Sequence, residues 1–344
     1  MRSPIVVGVL TAIAAAVMFG VATPVVAWAG RGVFATACLL YAGAAMVGVG
    51  ARVVRGRPAS LERTDLPRLA LIALCGAAIA PVLLVVGLQR TGALTASLLL
   101  NLEAVFTVLI AARREAIGAR VWIAVAAMAS GGAALSLDAA ARGTGGVIGA
   151  LAVAGATLAW AIDNNLTQPL SSRDPLDIVA AKASLGAALT AGLALITGDP
   201  WPDPTRVLVL LVCGALANGV SLALYILAQR WIGAARTGSV FALAPFLGAV
   251  VAWLAGERTL GAWAFAAIAL FAFGVWLHLS EQHRHDHHHA ALEHAHAHRH
   301  DDGHHLHAHD PPVDGEHTHA HRHDAVDHDH PHDHGDPHHA HDHA

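Results

Sequence analysis

The segment GALTASLLLNLEAVFTVLIAARRE, residues 92–115, returns as GAARTGSVFALAPFLGAVVAWLAGE, residues 233–257. Thr95 corresponds to Thr237, Ser97 to Ser239 and Glu115 to Glu257, each 142 residues further on. A Gln-Arg pair precedes both copies, Gln89-Arg90 and Gln229-Arg230, two residues further upstream in the second. The middle of each copy is an apolar run long enough to cross a bilayer, which takes about 20 residues. A repeated apolar span points to a membrane protein built from two similar halves, a plan common among secondary transporters.

The rest of the chain up to residue 280 continues that pattern. Apolar spans are expected at about 5–28, 32–49, 69–88, 92–112, 119–137, 147–166, 176–197, 207–228, 237–255 and 261–279. The segment GDPWPDP, residues 198–204, cannot be helical and makes a turn. A signal peptide is the competing reading of the first span, but the apolar run is too long and Pro24 interrupts it. Ten spans in two fives have a geometric consequence. Five is odd, so the second half enters the membrane from the opposite side and the repeats are inverted. Twelve arginines then fall on the side of the N-terminus and five on the other. The excess of positive charge places both termini in the cytoplasm of a cell whose inner membrane holds the chain.

Composition divides the chain sharply. Charged residues make up 13% of the whole, about half the usual share of a soluble domain. Residues 281–344 hold all but one of the 26 histidines, the exception being His278. They carry 14 Asp and Glu against 3 Arg and almost no large apolar side chain. Such a segment cannot form a core and is expected to be disordered. Neutral imidazole with carboxylate binds zinc, nickel, cobalt and copper. His283, His285, His287, His288, His289, His294, His296, His298 and His300 repeat at short spacing with no fixed set of four, so exchangeable sites are expected. Cys38, Cys75 and Cys213 lie scattered in apolar spans and read as small core residues.

Ionisable side chains inside a span cost on the order of 3 kcal/mol and mark function or a buried pair. Three stand out: Glu103, Asp163 and Lys182, the last being the single lysine of the chain. One amine and two acids leave one carboxyl over, able to titrate. A salt-bridge network that only holds helices together is the alternative. Asn101, Asn164 and Asn218 are the polar candidates, with Trp160 one helical turn from Asn164. Amides and an indole suit a cavity for a polar or zwitterionic solute; hydrogen bonding between helices is the bland alternative. No phosphate loop, nucleophile elbow or HExxH motif is present, so neither an enzyme nor an ATP-driven pump is supported and no cofactor is required. No nucleic-acid partner is expected. The partners are the lipid bilayer, a small-molecule substrate and transition-metal ions, with a homodimer left open.

Four segments carry a family likeness: FGVATP (19–24), ASLLLNLEAVFT (96–107), WAIDNNLTQ (160–168) and SVFALAPFLGAVVAWLAGE (239–257). In them the chain resembles the EamA-type branch of the drug/metabolite transporter superfamily. The resemblance covers residues 1–280 and implies an all-α integral membrane protein with ten helices. It divides the chain into one five-helix repeat at 1–137, an inverted second at 147–280, and the histidine-rich tail at 281–344. It implies carriage of a small organic solute, amino-acid-like or drug-like, often outward. The chain departs at Ala104, where the family usually has proline after the glutamate, which argues against a break in that helix. The alternative is a transition-metal carrier, or a membrane-anchored metal buffer or sensor. An absence of intramembrane histidine other than His278 argues against a path for free metal.

Overall fold

The structure is a computed structural model that describes residues 4–56, 60–113, 117–170, 173–258, 261–279, 286–289, 292–298, 317–323 and 326–329. It divides into two units, one up to Glu281 and one from Gln282 onward. Among the described residues of the first unit the regular elements are helices. The helices are α1 (Pro4–Ala29), α2 (Val33–Arg55), α3 (Leu66–Ile72), α4 (Ala80–Thr91), α5 (Ala93–Leu99), α6 (Leu102–Ala111), α7 (Ala119–Ala140), α8 (Thr144–Thr167), α9 (Pro175–Thr197), α10 (Pro204–Gly214), α11 (Ser221–Phe241), α12 (Ala244–Leu254) and α13 (Ala262–Leu279). Two wide π turns, Ala73–Ile79 and Ala215–Val220, link α3 to α4 and α10 to α11 without leaving the helix. Among the described residues, eight helical stretches are long and apolar enough to cross a membrane, and Ala244–Leu254 and Ala262–Leu277 are shorter apolar helices.

The starts and stops follow local chemistry. Asp174 and Asp203 cap α9 and α10 with their carboxylates, and each is followed by a proline at the first helical position. Gly92 separates α4 from α5 with φ +83°, a conformation open to glycine and strained for other residues. Glu257 Oε2 accepts the Ala93 backbone N–H at 2.8 Å just beyond that turn. The rings of Tyr225 and Phe241 lie 5.0 Å apart, centre to centre. Sixteen residues of straight helix would separate them by about 24 Å. The chain therefore folds back within α11, at the boundary that the sequence places between residues 228 and 237.

Packing inverts the pattern of a soluble protein. The buried positions are dominated by alanine, while Leu195, Ile196, Val54 and Leu254 are among the large apolar side chains left exposed. In lipid, burial from water does not drive helices together, so small residues that allow close backbone approach do. A Cβ on Gly43 would lie 2.0 Å from the Leu211 carbonyl oxygen, and one on Gly214 would lie 1.9 Å from that of Leu40. The main pairings are α2 with α9, α7 with α13, α1 with α11, α4 with α8 and α5 with α12. Each joins residues below 140 to residues above 143. The two π turns begin 142 residues apart, at Ala73 and Ala215.

One expectation needs correction. The fourth span is broken despite Ala104: the chain leaves helical hydrogen bonding at Leu100 and Asn101, between α5 and α6. The matching break, Ala242 and Leu243, again lies 142 residues on. No proline is needed at Ala104, because turn bonds from Leu100 and Asn101 to Ser97 and Leu98 close the break locally. In the second unit Asp286–His289 pairs antiparallel with Val326–Asp329, and Leu292–His298 with His317–His323. The alternation of histidine with other residues has the period of two that a strand requires.

Candidate functional site

The charged residues named from sequence come together on three helices. α8 presents Asp163 and Asn164 in sequence, α9 presents Lys182, and α6 presents Glu103 in its first turn. Lys182 Nζ pairs with Asp163 Oδ2, and Asp163 is 2% exposed. A buried carboxylate needs such a partner, since removing one member of a buried pair costs about 3–5 kcal/mol. Thr167 Oγ1 adds a long contact of 3.4 Å to Asp163 Oδ1. Glu103 has a different partner: Asn164 Nδ2 donates to Glu103 Oε1 at 2.7 Å. Of the two acids that competed for one amine, Asp163 holds it. Glu103 is half-buried and Asn164 exposed.

Gly76 joins this cluster to a neighbouring cavity. It lies in the first π turn, where a Cβ would be 2.1 Å from Asp163 Oδ2. Only a hydrogen there lets the carboxylate approach. The Gly76 carbonyl accepts from the Tyr41 hydroxyl and, at 3.0 Å, from Trp160 Nε1. A π turn shifts the bonding pattern to i→i+5 and loosens the local ladder. Tyr41 and Trp160 both line a small open cavity. Thr23, Pro81, Leu100 and Asn218 also border it. Asn218 stands 142 residues after Gly76, in the second π turn, and its amide has no protein partner among the described residues. No ionisable side chain other than Tyr41 borders the cavity among the described residues.

The polar candidates therefore separate. Asn218 and Trp160 reach the cavity. Asn164 is held by Glu103, and Asn101 turns back to the Leu98 carbonyl of α5 at 2.9 Å. Sequence reasoning missed Gly76 and Tyr41. A tyrosine inside an apolar span was a usable signal, because a phenol buried there needs a hydrogen-bond acceptor. Of the tail histidines, His283, His285 and His300 lie outside the described residues. His287, His288 and His289 lie on β1 (Asp286–His289) and His294, His296 and His298 on β2 (Leu292–His298). Among the described residues no group of three or more His, Cys, Asp or Glu is placed to hold a metal ion.

Outside the spans, the loop after α2 meets the start of α9. Arg55 pairs with Asp174 at 2.9 Å, and Arg173 pairs with Glu62 at 2.8 Å and Asp65 at 3.1 Å. The Glu62 hydrogen bond, with the charges of both acids, pushes the Arg173 guanidinium further above its ordinary range. It stays charged at any physiological pH.

Comparison with known proteins decides the family. The EamA-like transporter family matches twice, over residues 6–137 and 147–280. The chain belongs to the EamA-like transporter family. An uncharacterised transporter of Methanothermobacter thermautotrophicus strain Delta H is 30% identical over 203 residues, covering 57% of this chain and 59% of that protein. The chain thus spans about three-fifths of the length of that relative. A solved crystal structure of another protein superposes with a TM-score of 0.58 at 21% identity, over 81% of this chain and 99% of the other. That likeness concerns the fold alone.

Proposed function

We propose that this family member is a secondary carrier that moves a small organic metabolite, amino-acid-like or drug-like, outward across the cytoplasmic membrane. It works by alternating access between two inverted five-helix repeats. The two family matches, the eight long and two short apolar helices, and the fold-back within α11 support ten spans. Both termini lie in the cytoplasm, as the arginine distribution indicates. The observation that carries the reading is the cavity beside the matched π turns, bordered by Tyr41 of the first repeat and by Trp160 and Asn218 of the second. Aromatic and apolar walls hold the body of a solute, and the free Asn218 amide takes a polar end.

The metal-carrier alternative is weaker. Transition metals need imidazole, thiolate or carboxylate along the path, and the cavity wall has none of these among the described residues. The tail is instead a metal-binding accessory. Its strand register sets His294 opposite His321, His296 opposite His319 and His298 opposite His317. Facing residues in an antiparallel pair have Cβ atoms about 5 Å apart, close enough for two imidazoles to share an ion.

A tolerance screen tests the carrier. Cells expressing the full chain, residues 1–280, or the full chain with Asn218→Ala are challenged with toxic amino-acid analogues, drugs, and zinc, nickel or cobalt salts. Protection against an organic compound that survives loss of the tail and falls with Asn218→Ala is expected. Protection confined to metal salts and abolished by loss of the tail overturns the reading.

A further inference from the structure

We infer that Glu103 is the proton-carrying carboxyl of the membrane unit, and that its proton is linked to the cavity through α8. The inference rests on the carrier reading for its purpose, but its test does not.

Three observations lead there. The first is charge count. Two carboxyls and one ammonium share the interior, and Lys182 is committed to Asp163 by direct contact. A second ionised carboxylate in the same cluster stands without a counter-ion, the costly arrangement in a low-dielectric setting. The groups that face Glu103 are few. α8 contributes the neutral Asn164 and the already paired Asp163; α9 contributes Lys182; α2 contributes the Tyr41 hydroxyl. α7, also packed on α6, carries only Arg120 and Asp138 as charged residues, near its two ends, and Asp138 is paired with Arg142 at 3.4 Å.

The second observation is access. Asp163 is shut in at 2% exposed, whereas Glu103 is half-buried and its partner Asn164 is exposed. Glu103 is thus the more accessible of the two acids.

The third observation is the mechanical path. Asn164 and Trp160 are one turn apart on the same face of α8. Asn164 holds Glu103, and Trp160 borders the cavity with its Nε1 on the Gly76 carbonyl. A hydrogen bond to an ionised acceptor is roughly twice as strong as a neutral one. Loss of the Glu103 proton therefore tightens Asn164 on the carboxylate and pulls on the turn that carries Trp160. Asn164 has an amide that serves either protonation state, since a protonated carboxyl still offers its carbonyl oxygen.

Dicyclohexylcarbodiimide, an apolar reagent that adds to protonated carboxyl groups in membranes, reads this without any substrate. The purified full chain in detergent is treated across pH values from about 5 to 9, a range set by carboxyl groups in proteins, and the adduct is located by mass spectrometry. The expected result is an adduct on Glu103 that declines as pH rises, with Asp163 unlabelled. Adduct on Asp163 in place of Glu103, yield on Glu103 that does not vary with pH, or no adduct on either residue overturns the assignment. The link to the cavity has its own readout. Tryptophan emission of the wild type should change over the same pH interval, and Glu103→Gln and Trp160→Phe should each remove that change. A pH response that persists in either variant overturns the link. These results stand or fall apart from the tolerance screen. A failed screen with pH-dependent labelling of Glu103 removes the carrier and leaves the proton site.

Discussion

Gly76→Ala probes the joint between the charged cluster and the cavity. The added methyl would lie 2.1 Å from Asp163 Oδ2, 2.4 Å from its Cγ and 2.9 Å from its Cβ. The obstructing atoms belong to a short side chain held by Lys182, so the carboxylate cannot swing aside without losing that partner. Overpacking of this kind costs about 1–3 kcal/mol. The shift of the Gly76 carbonyl also weakens the bonds from Tyr41 and Trp160, each worth about 0.6 kcal/mol in a membrane protein. The expected loss is then about 2–4 kcal/mol, a fall in Tm on the order of 5 °C in detergent. Gly192→Ala is the matched control. It lies within α9 with nothing within 4 Å of its added Cβ. Alanine is the better helix former by about 1 kcal/mol, so this variant should hold or raise Tm. Thermal unfolding followed by tryptophan emission compares the two. Equal Tm for Gly76→Ala, Gly192→Ala and wild type would show that the close approach of Asp163 to the π turn is not a constraint, and the reasoning fails.

Other outcomes follow from the same contacts. Lys182→Met should destabilise the chain by about 3–5 kcal/mol by stranding Asp163, and adding Asp163→Asn should restore much of the loss, as read by Tm of the single and double variants. Glu257→Ala removes the carboxylate that accepts the Ala93 amide, and should lower stability by about 0.5–2 kcal/mol in the same assay. Asn218→Ala should leave Tm within about 0.5 kcal/mol of wild type, because its amide has no protein partner among the described residues, while abolishing solute protection. Zinc bound by the full chain should fall as pH drops through about 6.5, because protonated imidazole no longer binds metal; competition with a chromophoric chelator measures it.

Much of the architecture was legible because lipid imposes simple rules. Apolar length marked the spans, and three polar residues in phase marked the repeat. The charged trio was legible because ionisable residues in a span are rare. Which acid holds Lys182 was not, since that depends on how α8 and α9 turn toward each other. The π turns left no trace in composition: Ala73–Ile79 reads ALCGAAI, which suits an ordinary helix equally well. Gly76 therefore looked like any small packing residue. The break at Leu100 and Asn101 was obscured for a related reason, because turn bonds end the helix without the proline that sequence reasoning sought. Asn101 was placed with the solute-binding amides by spacing alone, and its bond to Leu98 was invisible at that level.

The pairing of helices across the halves has a consequence for how the chain is made. α1, α2, α4, α5 and α7 find their main neighbours among α8, α9, α11, α12 and α13. The helices up to Ala140 leave the ribosome before any of those partners exists. They wait in the bilayer with the flanks of Gly43 and Gly76 covered only by lipid. In water such uncovered flanks would aggregate, but acyl chains solvate them about as well as a neighbouring helix does. The small-residue interfaces that let the halves close on each other are thus also what lets the first half be synthesised alone and kept until the second arrives.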